Sequence, residues 1–228
     1  MDLSKIVEGI LGRMLQAEEG IDELTIQKIE IKLGIHLPKV LKDFYAVVGN
    51  IPLFVEGHHC FLDLEELLIK DDKLIFLAEN QQVLHWAVDL SDTKTIYQTP
   101  DAIQETNLVW YEEAFDLERF LEMMLFVQCM YADEVYHTML EGGYAHFAYL
   151  EAANLEEDTL SLLLANLEKQ WQNAVRGNDI SVFLYPESML LYFIDEQDNL
   201  DKTSMIWLCT KDEQLFDRWV DSYGFMEL

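Results

Sequence analysis

Positive charge is scarce in this chain: 15 Lys and Arg stand against 43 Asp and Glu over 228 residues, a formal net charge of −28. Such a chain repels phosphate backbones and anionic headgroups, which argues against nucleic acid and membrane surfaces as partners. Cysteine is also sparse. Cys60, Cys129 and Cys209 are odd in number and far apart, so they read as buried thiols in a reducing compartment and not as a disulfide framework. Long apolar runs are missing, and the densest, residues 121–131, is short and contains Glu122. The opening MDLSKIVEGILGR spaces its apolar residues helically around Glu8, unlike a signal peptide. A cytoplasmic location is the expectation.

Catalytic signatures are absent too. There is no G-x-S-x-G, no phosphate-cradling glycine loop, no H-E-x-x-H and no deaminase-like cysteine pair. Adjacent acids are frequent, but this composition makes them so by chance. His58, His59 and Cys60 sit together, yet neighbouring side chains on an extended strand point to opposite faces, and no second His/Cys pair follows. The expectation is a protein without metal, cofactor or enzymatic activity.

What is present is an ordinary globular balance, 50% hydrophobic and 25% charged, in a chain able to bury roughly 70% of its unfolded surface without a staple. Leu3, Ile6, Val7, Ile10, Leu11 and Met14 predict an amphipathic helix. Thr25 is placed as the N-cap of a second helix, with Leu24 and Ile29 as its hydrophobic staple. Gly34 is suited to the left-handed stop of that helix, and Pro38 to the first turn of the next. Val40, Leu41, Phe44, Tyr45, Val47 and Val48 form its apolar face until Gly49 and Asn50 end it.

Beyond this corner the period changes. Residues 53–55 read as extended, 62–68 as one or two helical turns, and 73–78 with 83–88 as an antiparallel pair. Residues 95–98 and 108–111 are further strands. Phe115 and Asp116 offer a staple and an N-cap to a closing helix. The best boundary lies over residues 133–143. After it come a strand at 144–150, a long helix at 158–176, strands at 180–185, 189–194 and 204–209, and a last helix opened by a Thr210/Glu213 capping box. The fold class is α+β: N-terminal helices packed on an antiparallel sheet with a closing helix, in a domain of residues 1–132. The β-α-β-β-β-α order of residues 144–228 forms either an extension of that sheet or a second small domain.

One pattern stands out in the first part: an acidic residue, Leu-Gly, Leu-Pro, an aromatic pair and Gly-Asn, here Glu30, Leu33, Gly34, Leu37, Pro38, Phe44, Tyr45, Gly49 and Asn50. Downstream, FLAENQQVLHWAVDL places Glu79, Asn80 and Gln81 at a hairpin turn and Trp86 in its second strand. In these features, across residues 23–131, the chain resembles the SUKH superfamily, which includes bacterial immunity proteins and fungal cell-wall assembly regulators. The resemblance implies that the motif residues are structural. It also implies that the protein acts by binding, as an antidote covering the active site of a nucleic-acid-directed toxin. Such toxins tend to be basic, and the net charge of this chain suits one through electrostatic steering. The alternative within the same fold is a regulatory adaptor for a cellular protein. For the binding face, the acids in or beside turns of this region are the candidates: Glu65, Glu66, Asp71, Asp72, Asp89 and Asp92. Glu30 is expected to accept hydrogen bonds from backbone N–H groups near Pro38, at the positive end of a helix dipole.

Overall fold

A computed structural model describes residues 3–100, 107–132, 144–177 and 180–228. The architecture is α+β, with two antiparallel six-stranded sheets and their helices. The chain divides into two compact units, residues 1–7 with 15–136 and residues 8–14 with 137–228. The boundary expected over residues 133–143 lies outside the described residues.

The first unit is built from the helical corner. Helix α1 (Leu3–Leu11) precedes it, and α2 (Glu23–Leu33) begins it. The N-cap of α2 is Asp22, not Thr25: its carboxylate accepts from the Thr25 N–H at 3.0 Å and from the Thr25 hydroxyl at 2.6 Å. Leu24 is exposed, so no staple forms. An ionised carboxylate outcompetes a hydroxyl for the orphan N–H groups of a first turn. At the other end Gly34 takes φ 70°, and the Ile35 and Gly34 N–H groups reach the carbonyls of Glu30 and Ile31, a Schellman stop.

Helix α3 (Lys39–Val48) follows Pro38 and buries Leu41, Phe44, Tyr45 and Val48. The corner is then tied backwards. Asn50 donates from Nδ2 to the Glu18 and Gly20 carbonyls at 3.0 and 2.9 Å, and Ile21 N–H donates to Tyr45 O at 3.0 Å. Gly20 is required there by contact, since a Cβ would lie 1.8 Å from the Ala46 carbonyl oxygen.

Residues 53–55, expected as extended, instead belong to a short helix α4 (Pro52–Glu56), with Pro52 in the first turn where its missing N–H costs nothing. The sheet then runs β1 (Cys60–Phe61), β2 (Leu68–Lys70), β3 (Lys73–Ala78), β4 (Leu84–Asp89), β5 (Thr95–Pro100) and β6 (Tyr111–Asp116). Residues 62–68 are a single turn leading into β2 rather than helix. The last strand also lies later than the expected 108–111. In space the order is β1-β3-β4-β5-β6, and β2 shares with β1 the outer edge of β3.

Asp71 and Asp72, at φ 49° and 58°, make the two-residue turn between β2 and β3, flanked by the Lys70/Lys73 pair. Both signs are positive, as a type I′ hairpin turn demands. Helix α5 (Leu117–Tyr131), N-capped by Asp116, closes the inner face, with Phe120 packed edge-on to Phe76 at 6.0 Å between ring centres.

The second unit contains β7 (His146–Glu151), α6 (Glu157–Gln170), β8 (Gln172–Gly177), β9 (Ile180–Tyr185), β10 (Ser188–Phe193), β11 (Met205–Thr210), α7 (Glu213–Tyr223) and β12 (Met226–Glu227). Its strands form a sheet of their own in the order β12-β7-β11-β10-β9-β8. The helix expected over 158–176 stops at Gln170, and residues 172–177 pair with β9 instead. Trp171 marks the break, its ring packed 5.1 Å from that of Trp219 and 5.3 Å from that of Tyr185. The cap of α7 is Asp212, which accepts from Leu215 N–H at 3.1 Å, while Thr210 stays in β11 with its hydroxyl 2.6 Å from that of Ser188. The core here is continuous, joining Leu163, Leu167, Leu190, Leu208, Phe216 and Trp219 among others.

Candidate binding groove

Strand register decides which residues of the first sheet face the helices and which face outward, because paired residues share a face and neighbours alternate. Leu74 pairs with Val88 and Leu77 with Trp86, facing α5, while Ile75 pairs with Ala87 and Ala78 with His85, facing the other way. An irregularity between Ile75 and Leu77 turns Phe76 inward as well. On the outer face Ile75 and Ala87 are covered by Leu62, Leu108 and Trp110. This cover is partial. Between it and the edge of the sheet lies a groove of about 600 Å³, floored by Leu68, Ile75, Ala78 and His85 and flanked by Leu62. Its rim carries Glu56, Asp63, Glu66 and Gln82, with no Lys or Arg among the described lining residues.

Two buried polar side chains fix the walls. Tyr45 donates its phenol proton to Leu62 O at 2.7 Å, and burial pushes its pKa up, so it stays a donor. Gln128, fully buried on α5, accepts from the His58 and His59 N–H groups at 2.9 and 2.7 Å and donates to the carbonyls of Phe54 and His59 at 3.2 and 2.7 Å. All the hydrogen-bonding capacity of this side chain goes into holding the segment between α4 and β1.

His58 and His59 lie in a bend before β1, not on an extended strand, and their rings stand 4.4 Å apart. Among the described residues no group of three or more His, Cys, Asp and Glu side chains could hold a metal ion. Desolvation, with the neighbouring His58, lowers the pKa of His59 to about 4, and His58 is also lowered by burial, so both are neutral near pH 7. The thiol of Cys60 is pushed up by burial and by Glu56 and Glu79, which disfavours the thiolate a nucleophile needs.

The acids singled out from the sequence separate into two places. Glu65 and Glu66 lie exposed in the turn before β2, Glu66 on the groove rim. Asp71, Asp72, Asp89 and Asp92 gather at the far end of the same hairpin, where the Leu90 N–H donates to Asp72 O at 3.0 Å. The side chains of Asp71, Asp89 and Asp92 have local tasks. Asp71 accepts from Trp110 Nε1 at 3.1 Å. Asp89 accepts from Ser91 and stands 3.6 Å from Lys73 Nζ, and Asp92 accepts from Lys94 and Thr95. Hydrogen bonds from Ser91 hold the Asp89 carboxyl below its usual range, and those from Thr95 do the same for Asp92. Lys73 is enclosed, its ammonium 4.6 Å above the Tyr97 ring and 5.6 Å from that of Trp110.

The motif residues serve the corner and the sheet. Glu30 Oε1 accepts from Leu37 N–H at 2.9 Å, with Lys42 Nζ 3.8 Å from Oε2. Leu37, Phe44 and Tyr45 are buried, Leu33 is partly so, and Gly34 is exposed at the stop. Glu79 folds its carboxylate onto Gln81 N–H at 2.8 Å, Asn80 is exposed at the hairpin tip, and Trp86 donates to Glu113 Oε1 at 2.8 Å. Asp63, His85 and Gln128 were not singled out from the sequence. The alternation of LHWAV could have put His85 opposite Trp86, but the tasks of Gln128 rest on partners 69 to 74 residues away. Comparison with protein-family models, with curated proteins and with solved structures returns no match.

Proposed function

We propose that this protein is a non-catalytic antidote, acting in the cytoplasm, that binds and neutralises a basic, nucleic-acid-directed toxin. The observation that carries the reading is the acidic surplus, 43 against 15 residues, together with a preformed apolar groove whose rim is acidic. The resemblance of residues 23–131 to the SUKH superfamily points the same way. So do the raised Cys60 thiol and the neutral His58 and His59, which suit packing better than chemistry. Among the described residues no helix is long and apolar enough to cross a membrane.

Co-expression with the toxin encoded by the neighbouring reading frame tests the proposal. Growth should be rescued and a complex should co-purify; continued killing with no complex formed would overturn it. Association should also slow markedly from low to high salt, because steering of opposite charges is screened. A salt-independent on-rate would remove the electrostatic part of the reading.

A further inference from the structure

We propose that the groove on the outer face of the first sheet is the docking slot for a Lys- or Arg-bearing segment of the partner, an inference that rests on the function proposed above. The chemistry of the slot is that of a long cationic side chain. Leu62 and Leu68 offer apolar surface to an aliphatic stem beside a buried floor of Ile75 and Ala78, and the exposed Asp63 and Glu66, which line the same groove, offer carboxylates to the charged head. A volume of about 600 Å³ holds such a side chain with its flanking residues and falls in the usual range of binding pockets. The same outer face already holds one cation of its own: Lys73 lies over Tyr97, 3.6 Å from Asp89. That internal pair shows the arrangement of carboxylate and flat apolar surface accepting an ammonium group. Preorganisation adds to the case, since Tyr45 fixes the wall at Leu62 and Gln128 fixes the approach to β1. The slot therefore needs little ordering when the partner arrives.

The test uses the full chain, labelled with nitrogen-15 and titrated with N-acetyl-arginine methylamide and, separately, with its neutral citrulline counterpart. The arginine probe should shift the amides of Leu62, Leu68, Ile75 and His85 saturably, and citrulline should not. In Asp63→Asn/Glu66→Gln the midpoint should rise by about tenfold or more, the loss of a charge-assisted hydrogen bond. Equal shifts from citrulline would mark a pocket for neutral ligands, and shifts spread over carboxylates elsewhere would mark diffuse attraction; either overturns the slot. With the toxin itself, a wild-type complex that the double variant leaves equally tight removes the slot and leaves the function standing. Failure of the wild-type chain to form any complex removes the function and the occupant together.

Discussion

The two sheets have the same number of strands, yet they invest their surfaces differently. In the second unit the apolar face joins α6 and α7 in one continuous core, and β10 is buried along Ser188–Tyr192 on both its faces. In the first unit the inner face is closed as tightly by α5. The outer face of that sheet, however, is covered only by irregular segments around Leu62, Leu108 and Trp110, over a cluster whose fully buried members are Ile75 and Ala87. The difference shows where a recognition surface can sit. A face closed by helices has no room for a partner, whereas one closed by loops keeps a gap whose chemistry is set by the residues left at its rim.

Mutations separate the two regions, and the largest effect is expected in the second. Trp219→Ala, which removes a ring packed on Trp171, Tyr223 and Phe225, should cost about 3–5 kcal/mol in denaturant unfolding. Ile75→Ala, in the small outer cluster, should cost about 2–3 kcal/mol because fewer neighbours lose contact. Equal costs would mean that the outer face is as well packed as the second core. Gln128→Leu leaves buried N–H and C=O groups at the bend before β1 without their partner. It should cost about 2–3 kcal/mol and loosen the groove, seen as faster hydrogen exchange at His58 and His59. Glu30→Gln keeps an acceptor for Leu37 but loses the attraction of Lys42, so about 1 kcal/mol is expected. No change in melting would show that the charge does nothing, and partner binding should be unaffected.

A separate effect is a pH dependence. The pKa of His59 is about 4 in the fold against an unperturbed value near 6.5. The unfolded chain therefore takes up a proton first, so stability is full above about pH 6.5 and declines as pH falls toward 4. His58 shifts in the same direction, and Glu79 is the charged neighbour that opposes both shifts. His58→Gln/His59→Gln should flatten the stability profile across that window, leaving the loss below it to carboxylates such as Asp89 and Asp92. An unchanged slope between pH 6.5 and 4 would show that the two rings are solvated.

Much of this could be read from residue order. The Gly34 stop, the α3 face, the β3/β4 hairpin, the Asp116 cap and the α+β class follow from local rules whose energies are settled within a few residues. Where two local readings competed, the outcome lay with tertiary contacts. Residues 172–177 carry a pattern that also fits a helix, but the unpaired edge of β9 offers them a full ladder of hydrogen bonds and Trp171 finds Trp219. Thr25 and Thr210 were plausible caps until Asp22, three residues before the one, and Asp212, two residues after the other, supplied stronger acceptors.

The groove belongs wholly to the second category. Composition and short-range sterics settled the charge and the corner, which need no partner, and they singled out Glu66 while putting it in a short helix. Only the folded chain brings Glu66 and Asp63 into one groove with Ile75 and His85, because strand register and the Gln128 bonds to the bend before β1 join residues from far along the chain.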